Sequence, residues 1–447
     1  MILTLADIAR ITGSRDSLPA APVADWSIDT RTLVPGAVYF ALRGENHDGH
    51  RFLRAAAEQG AVAAIVDDRD HPKPEEMRLI HVADPLLALQ QLAAAARQHL
   101  PCPLIAITGS AGKTTTKETI STLAGAALRV TRSEGNLNNH IGLPLSLLRL
   151  DETAGVAVLE MGMNHAEEIR LLARIARPTI GVVTNVGTAH IENFSSVEGI
   201  ALAKRELIEE LGPAGIAVLN YDDLRVRAFA GVHAGRTVTY GMEPGADIRA
   251  ENVQLTASGA SFTIQGVPFD IQLPGRHGVW NVTAGVAVGS ILQIPLEKLA
   301  EAARTLKSGR MRGERLSFNG ITILNDCYNS NPEAAKAMID TLAALPAARK
   351  IAVLGEMLEL GAWSEQMHRE VGAYAAAAGI QTVIGIRGAA RHLADAAQAA
   401  GVESHFFEDP AEAGEALRGL AREGDAMLYK GSRGTRVEKA LERFMAN

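Results

Sequence analysis

One stretch limits the possible folds more than any other: IAITGSAGKTTTKE, from Ile105 to Glu118. The apolar run Leu104, Ile105, Ala106, Ile107 has the character of a buried strand. Thr108, Gly109, Ser110, Ala111 and Gly112 supply a turn of small residues, and Lys113, Thr114, Thr115 and Thr116 open a helix. Successive backbone N–H groups of such a loop can point at a phosphate chain, and the helix N-terminus adds positive partial charge. Lys113 then brings a point charge to the outer phosphates, and the Thr114 hydroxyl is placed to ligate Mg²⁺. The common phosphate loop carries a further Gly where this chain has Ile107, so the loop is a shortened form. A strand, a Gly-x-x-Gly-Lys-Thr loop and a helix in that order point to nucleotide binding rather than to a chance turn beside a surface Lys.

Such a loop needs a parallel sheet around it, and the chain is long enough to build one. Its 447 residues predict about three domains at ~150 residues each. Hydrophobic residues make up 47% and aromatics 4%, so the cores are expected to be Ala- and Gly-rich and tightly packed. A net charge of −7 counts against a nucleic-acid or membrane-surface partner. Cys102 and Cys327 offer neither a disulfide framework nor a metal-ligating spacing. The start, MILTLADIARITG, lacks the basic and apolar regions of a signal peptide. No apolar run reaches ~18 residues, so a soluble cytosolic protein without membrane insertion is expected.

Taken in order, residues 1–84 form a first segment. Ala37–Leu42 reads as a strand, and it ends in the polar loop Arg43, Gly44, Glu45, Asn46, His47, Asp48, Gly49, His50. A loop after a strand is a frequent ligand position, though this one reads equally as a solvated surface loop. Ala61–Val66 is another strand, and Leu86–His99 a long helix after Asp84-Pro85. The second segment, 85–308, holds the phosphate loop. Val156–Leu159 is a buried strand ending in Glu160, the usual place for a Mg²⁺ ligand beside such a loop. Thr179–Thr184 repeats the pattern and ends near His190. Loops 109–114, 160–165 and 185–190 should converge, because ligands of parallel sheets lie beyond the strands' carboxyl ends. Lys204, on the helix Glu198–Glu210, reads from its residue type alone as a solvated charge. Thr237–Tyr240, Ile248–Leu255, Ser261–Ile264 and Phe269–Leu273 read as one small antiparallel sheet. The third segment, 309–447, opens with the basic cluster Arg310, Arg312 and Arg315 and alternates strands and helices, with Pro332 at a first helical turn. Its last strand ends in Lys430, Gly431, Ser432, Arg433.

These motifs together resemble the Mur ligases, which build the peptide of the bacterial cell-wall precursor. The resemblance spans the whole chain. TGSAGKTTTKE, GNLNNHIGLP, LEMGMNH, TNVGTAH, the Lys of AKREL, RHGVWN, RMRGER and Asp326 stand in family order. Within the family, NDCYNSNP, LGEMLELG and YKGSRG resemble the member that adds D-alanyl-D-alanine, although Cys327, Ser330 and Gly278 depart from the usual residues.

The resemblance implies three α/β domains: a small N-terminal one, a central P-loop-type domain with a mostly parallel sheet and a small antiparallel one, and a C-terminal Rossmann-like one. It implies an ATP-dependent amide ligase that phosphorylates the terminal carboxylate of UDP-N-acetylmuramoyl-tripeptide and joins the acyl phosphate to D-alanyl-D-alanine. Gly109, Ser110, Ala111, Gly112, Lys113, Thr114 and Thr115 would hold the phosphates. Thr114 and Glu160 would bind one Mg²⁺, and His190 with a carbamylated Lys204 a second. His277 and Asn281 would face the adenine, and Arg312 and Asp326 the phosphates and ribose. Ser27, Thr30, Arg31, Arg43, Gly44, Asn46, Asp48, Gly49 and His50 would recognise the UDP end, and Asn136 and Asn138 the sugar–peptide. Asn329, Asn331, Lys430, Ser432 and Arg433 would serve the D-alanyl-D-alanine side. A monomer is expected. The alternatives are another Mur-type, folylpolyglutamate-type or cyanophycin-type ligase, or a nucleotide switch without ligation.

Overall fold

Short apolar runs alternating with helices can pair in parallel only if each crossover is long enough for a helix. The computed structural model, which describes residues 3–256 and 259–446, is built in this way. In the first domain, helix α1 (Leu5–Thr12) precedes strands β1 (Trp26–Ser27), β2 (Val38–Phe40), β3 (Ala63–Asp67) and β4 (Arg78–Val82), with α2 (Leu53–Glu58) between β2 and β3. The four strands pair in parallel in sequence order. Helix α3 (Pro85–Gln98) starts on the Asp84 side chain, with Pro85 in its first turn. Its buried Leu89, Leu92 and Ala93 belong to one apolar core that reaches from Val38 and Ile65 to Leu143 and Ile169. The long helix therefore joins the first domain to the second.

The central sheet contains β5 (Leu104–Thr108), β6 (Val130–Arg132), β7 (Val156–Glu160), β8 (Ile180–Val183), β9 (Ile216–Asn220), β10 (Arg236–Gly241) and β11 (Ile248–Arg249). Their order is β11-β10-β9-β8-β5-β7-β6, and every pairing is parallel. β5 has β7 on one side and β8 on the other, the reversal at which open parallel sheets bind ligands. Helices α4 (Lys113–Ala124), α5 (Gly142–Leu148), α6 (Glu168–Ala176), α7 (Val197–Glu209) and α8 (Leu224–Ala228) connect these strands.

The small antiparallel sheet has three strands, β12 (Glu251–Thr256), β13 (Gly259–Ile264) and β14 (Val267–Ile271). Thr237–Tyr240 does not belong to it, and Ile248–Leu255 is not one strand. Both expectations fail for one reason. Ala250 donates its N–H to Gly241 O, so 248–250 extends the parallel ladder, and the chain leaves that ladder at Glu251. Helix α9 (Gly275–Ile291) then lies on α4. A Cβ at Gly285 would come within 2.8 Å of Leu123 Cδ1, so a small residue permits the close approach. Helix α10 (Leu296–Ala303) closes the domain.

In the third domain, β15 (Glu314–Phe318), β16 (Ile321–Asp326), α11 (Pro332–Ala343), β17 (Lys350–Gly355), β18 (Thr382–Ile386), β19 (Glu403–Phe407) and β20 (Ala426–Lys430) give the order β15-β16-β20-β17-β18-β19. Only the edge pair β15–β16 is antiparallel. Among the described residues, no helix is long and apolar enough to cross a membrane.

Candidate active site

The loop between β5 and α4 takes its shape from two glycines. Gly109 has φ +150, and a Cβ there would lie 1.9 Å from Thr184 Oγ1. Gly112, at φ +81, turns the chain into α4. Lys113 Nζ folds back and donates to Gly109 O at 2.8 Å. The loop after β8 clasps this one. Asn185 accepts from Ala111 N at 2.8 Å and donates to Ala111 O at 3.0 Å. Ser110 Oγ accepts from Gly187 N at 2.8 Å and donates to Gly187 O at 3.1 Å. On the other side, Thr114 Oγ1 donates to Glu160 Oε2 at 2.7 Å, and Asn138 Nδ2 donates to Glu160 Oε1 at 2.8 Å. The loops after β5, β7 and β8 thus share one crevice.

Two lysines there lack carboxylate partners. Lys204 is 1% exposed and has no hydrogen-bond or ion-pair partner among the described residues. Burial, reinforced by the charge of Lys113, pushes its pKa well below the usual lysine value. The residue-type reading of Lys204 as a solvated charge is therefore wrong. The signal lay in its neighbours: Ile200 and Ile208 stand four residues to either side and are buried on the same face of α7. Lys113 is also lowered by desolvation, opposed by Glu160 and Glu359 and aided by Arg312.

The third domain closes over this crevice with groups the sequence analysis did not single out. Glu333, in the first turn of α11, accepts from Thr188 N at 3.1 Å and Thr188 Oγ1 at 2.9 Å. Glu359 Oε2 lies 2.6 Å from His190 Nδ1, an ion-pair contact out of line for a hydrogen bond. His190 holds the Glu359 carboxyl below its ordinary range against the opposing effect of burial. Both carboxylates fall inside motifs quoted for other residues, NSNPE and LGEMLELG, and no spacing rule marks them. Arg312 stacks 3.7 Å over the Tyr328 ring.

On the adenine-side expectation, Asn281 is buried and accepts from Thr116 Oγ1 at 3.0 Å. His277 is half-buried; its surroundings lower its pKa, Asp326 opposing and Lys430 assisting. Several C-terminal candidates are committed to the protein itself. Lys430 is 2% exposed and donates to Asp326 Oδ2 at 2.5 Å and Asn329 O at 2.9 Å, so it positions Asp326. Asn331 caps α11 through Ala334 N at 2.8 Å. Ser432 Oγ accepts from Leu358 N at 3.0 Å and donates to Ser330 O. Asn329 Oδ1 accepts from Ser330 N, and Arg433 pairs with Glu438 at 2.9 Å.

The first-domain candidates form surface ion networks. Ser27 Oγ turns the backbone at Asp29, and Arg31 grips the Asp29 carboxylate, which its hydrogen bonds lower to about 2. Thr30 lies half-buried between them. Arg43 pairs with Asp48 at 2.7 Å. His50 Nδ1 lies 2.7 Å from Asp48 Oδ1, and His50 Nε2 accepts from Asp67 N at 3.2 Å, which places the ring proton on Nδ1. Burial pushes the Asp48 carboxyl up, but hydrogen bonds from His50 and Arg43 outweigh it and hold it below its ordinary range. Gly44 N donates to His47 O, and a Cβ at Gly49 would meet Leu42 N at 2.8 Å. Asn46 and Asn136 are exposed. His50, Asp67 and His71 also come together, yet Arg69 and Arg43 already neutralise Asp67, so this is a saturated network.

Comparison with known proteins covers the whole chain. Residues 24–97 match the Mur ligase family catalytic domain, 107–289 the Mur ligase middle domain and 309–433 the Mur ligase glutamate ligase domain. The UDP-N-acetylmuramoyl-tripeptide–D-alanyl-D-alanine ligase of Bacillus subtilis is 36% identical over 99% of this chain and 97% of its own length. MurF from Acinetobacter baumannii superposes with a TM-score of 0.91 at 28% identity, over 100% of this chain and 99% of that one. MurF from Thermotoga maritima, solved in complex with ADP, gives 0.83 at 28% identity over 94% and 97%.

Proposed function

The chain belongs to the Mur ligase family, and on that premise we infer that it is the ATP-dependent ligase joining D-alanyl-D-alanine to UDP-N-acetylmuramoyl-tripeptide. The observation that carries this reading is the similarity to D-alanyl-D-alanine ligases along essentially the full length of both chains. A carboxylate does not accept an amine at neutral pH, because its leaving group is too poor. The tripeptide carboxylate oxygen therefore attacks the γ-phosphorus of ATP, the bond to the β-bridging oxygen breaks, and ADP leaves. The amine of D-alanyl-D-alanine then attacks the acyl carbon. The C–N bond forms, phosphate departs with the C–O electrons, and the amine gives up a proton.

The protein's work in such a transfer is positioning and charge neutralisation. In this reading the N–H groups of 109–115 and Lys113 hold the β- and γ-phosphates. Thr114 and Glu160 are hard oxygen donors in mutual contact, a set that suits Mg²⁺. Mg²⁺ bound there, and a second ion at His190 and Lys204, would supply charge neutralisation on the phosphates. Lys204 fits carbamylation because its amine is buried, unpartnered and biased to the neutral form that attacks CO₂. His277 and Asn281 face the adenine, and Arg312 and Asp326, steadied by Lys430, serve phosphate and ribose. Ser27, Thr30, Arg31, Arg43, Gly44, Asn46, Asp48, Gly49 and His50 take the UDP end, and Asn136 and Asn138 the sugar–peptide. Asn329 and Arg433 face D-alanyl-D-alanine, while Asn331 and Ser432 shape that wall. The units 1–84, 85–308 and 309–447 act as one monomer in the cytoplasm.

The test is phosphate release from ATP with each substrate omitted in turn and with a panel of amine acceptors. Release is expected only with both UDP-N-acetylmuramoyl-tripeptide and D-alanyl-D-alanine present. ATP turnover indifferent to D-alanyl-D-alanine would overturn the reading.

A further inference from the structure

The pair Lys117-Glu118 ends the stretch that organises the chain, yet nothing in the proposed chemistry uses it. Lys117 lies one turn beyond Lys113 on α4 and is 1% exposed. Its ammonium donates to Ser133 O at 2.8 Å and Gly135 O at 3.3 Å. Glu118 Oε1 stands 3.5 Å from Lys117 Nζ, and its other oxygen pairs with Arg132. Both residues thus grip the end of β6, where the loop 133–139 begins. A buried ammonium held mainly by backbone carbonyls is a costly way to fix a turn, since burial disfavours the charged form.

That loop has two further anchors. Asn138 Nδ2 donates to Glu160 Oε1 at 2.8 Å, and Asn138 O accepts from Gly162 N at 2.8 Å. A Cβ at Gly162 would lie 2.9 Å from Asn138 Cγ, so the loop is seated against the strand end that carries Glu160. Asn139 Oδ1 accepts from Gly142 N at 2.8 Å. Between the Lys117 anchor and Asn138, the exposed Asn136 faces outward.

We propose that Lys117 is a positioning residue that clamps the 133–139 loop, so that Asn138 meets Glu160 and the loop presents a fixed surface to the UDP-linked peptide. This deepens the ligase reading and rests on it. Lys117 touches no reacting atom; it acts through the loop. Its loss should therefore weaken one substrate more than the others.

The experiment compares the full-length wild type with Lys117→Met, Asn138→Ala and the double variant. Lys117→Met should raise KM for UDP-N-acetylmuramoyl-tripeptide about tenfold or more, the scale of a lost buried hydrogen bond to a charged group. KM for ATP and for D-alanyl-D-alanine should move less than about threefold. Amide hydrogen exchange in 133–139 should quicken while exchange in β5 and β7 stays unchanged. The double variant should be no worse than Asn138→Ala within about threefold, because both changes release the same contact. Equal shifts in all three KM values, no change in loop exchange, or multiplicative losses would each overturn the proposal. If Lys117→Met does not fold, Lys117→Gln takes its place; failure of both to fold would also overturn it by making Lys117 a purely structural residue. Loop exchange is read without turnover, so an inactive wild type would refute the ligase reading separately.

Discussion

In the first domain, the cations of the candidate ligand face have anions at hand: Arg31 lies on Asp29, and Arg43 and His50 lie on Asp48. At the phosphate loop the arrangement is reversed. Lys113 donates to a carbonyl, and Lys204, fully enclosed, donates to nothing among the described residues. The first pattern is a polar surface already paired in water, where each ion pair contributes little and a ligand adds to existing contacts. The second leaves positive charge in a poorly solvated place, which an arriving polyanion would compensate. Unpaired buried charge thus marks where chemistry is expected, and paired surface charge marks where recognition is expected.

The sharpest way to break this contrast is to remove the unpaired lysines. Lys113→Met should lower kcat about 10²–10³-fold, the scale of losing one preorganised transition-state donor. Lys204→Met should give a loss of similar size. Without nucleotide or metal, however, Lys204→Met should be as stable as the parent or more stable by about 1 kcal/mol, because an enclosed ammonium is replaced by an apolar chain. Steady-state phosphate release and urea denaturation of the same samples check both halves. A Lys204→Met protein that is active, or clearly less stable than the parent, would erase the distinction between the two regions.

The paired region should respond in the opposite sense. Asp48→Asn strips the shared partner from Arg43 and His50. Stability should fall by about 1–3 kcal/mol, because a partly buried hydrogen-bonded charge is lost. KM for UDP-N-acetylmuramoyl-tripeptide should rise about tenfold and kcat should stay within about twofold. A kcat loss comparable to that of Lys113→Met would place Asp48 in the chemistry and dissolve the comparison.

How far the sequence reached follows the same division. The strand–loop–helix at 104–124, Glu160 at a strand end and Pro332 at a first helical turn were legible because local rules fix them: apolar run, glycine turn, strand terminus, proline φ. The three-domain α/β fold was legible through family resemblance. Residues whose role depends on another domain were not. Glu333 and Glu359 matter because α11 and the turn after β17 meet Thr188 and His190, and no periodicity records that meeting. The strand Arg236–Gly241 was misplaced for a related reason. Its alternation suits either kind of sheet, and only the pairing with β9 decides. Lys204 was missed for want of weighing its apolar neighbours on α7, a signal that was present.

The smallest effect lies in the first domain, far from any proposed ligand, and tests whether paired charge there is merely structural. Asp7 and Thr4 cap α1 reciprocally: Thr4 Oγ1 accepts from Asp7 N at 3.2 Å, and Asp7 Oδ2 accepts from Thr4 N at 3.1 Å. The Thr4 hydroxyl, followed by Arg10, lowers the Asp7 carboxyl from 3.8 to about 2. A carboxyl depressed in the folded state stabilises above its unfolded pKa and loses that contribution as pH falls through its folded pKa. The contribution should therefore be complete above about pH 4 and disappear toward pH 2. Asp7→Asn keeps the shape and removes the charge, so it should cost about 1 kcal/mol or less at pH 7, with no change in any KM. Urea midpoints of the two proteins, measured downward from pH 7, should begin to converge below about pH 4. A constant gap would show that the cap works through geometry alone, and a KM change would show that paired charge in this domain reaches the ligand face.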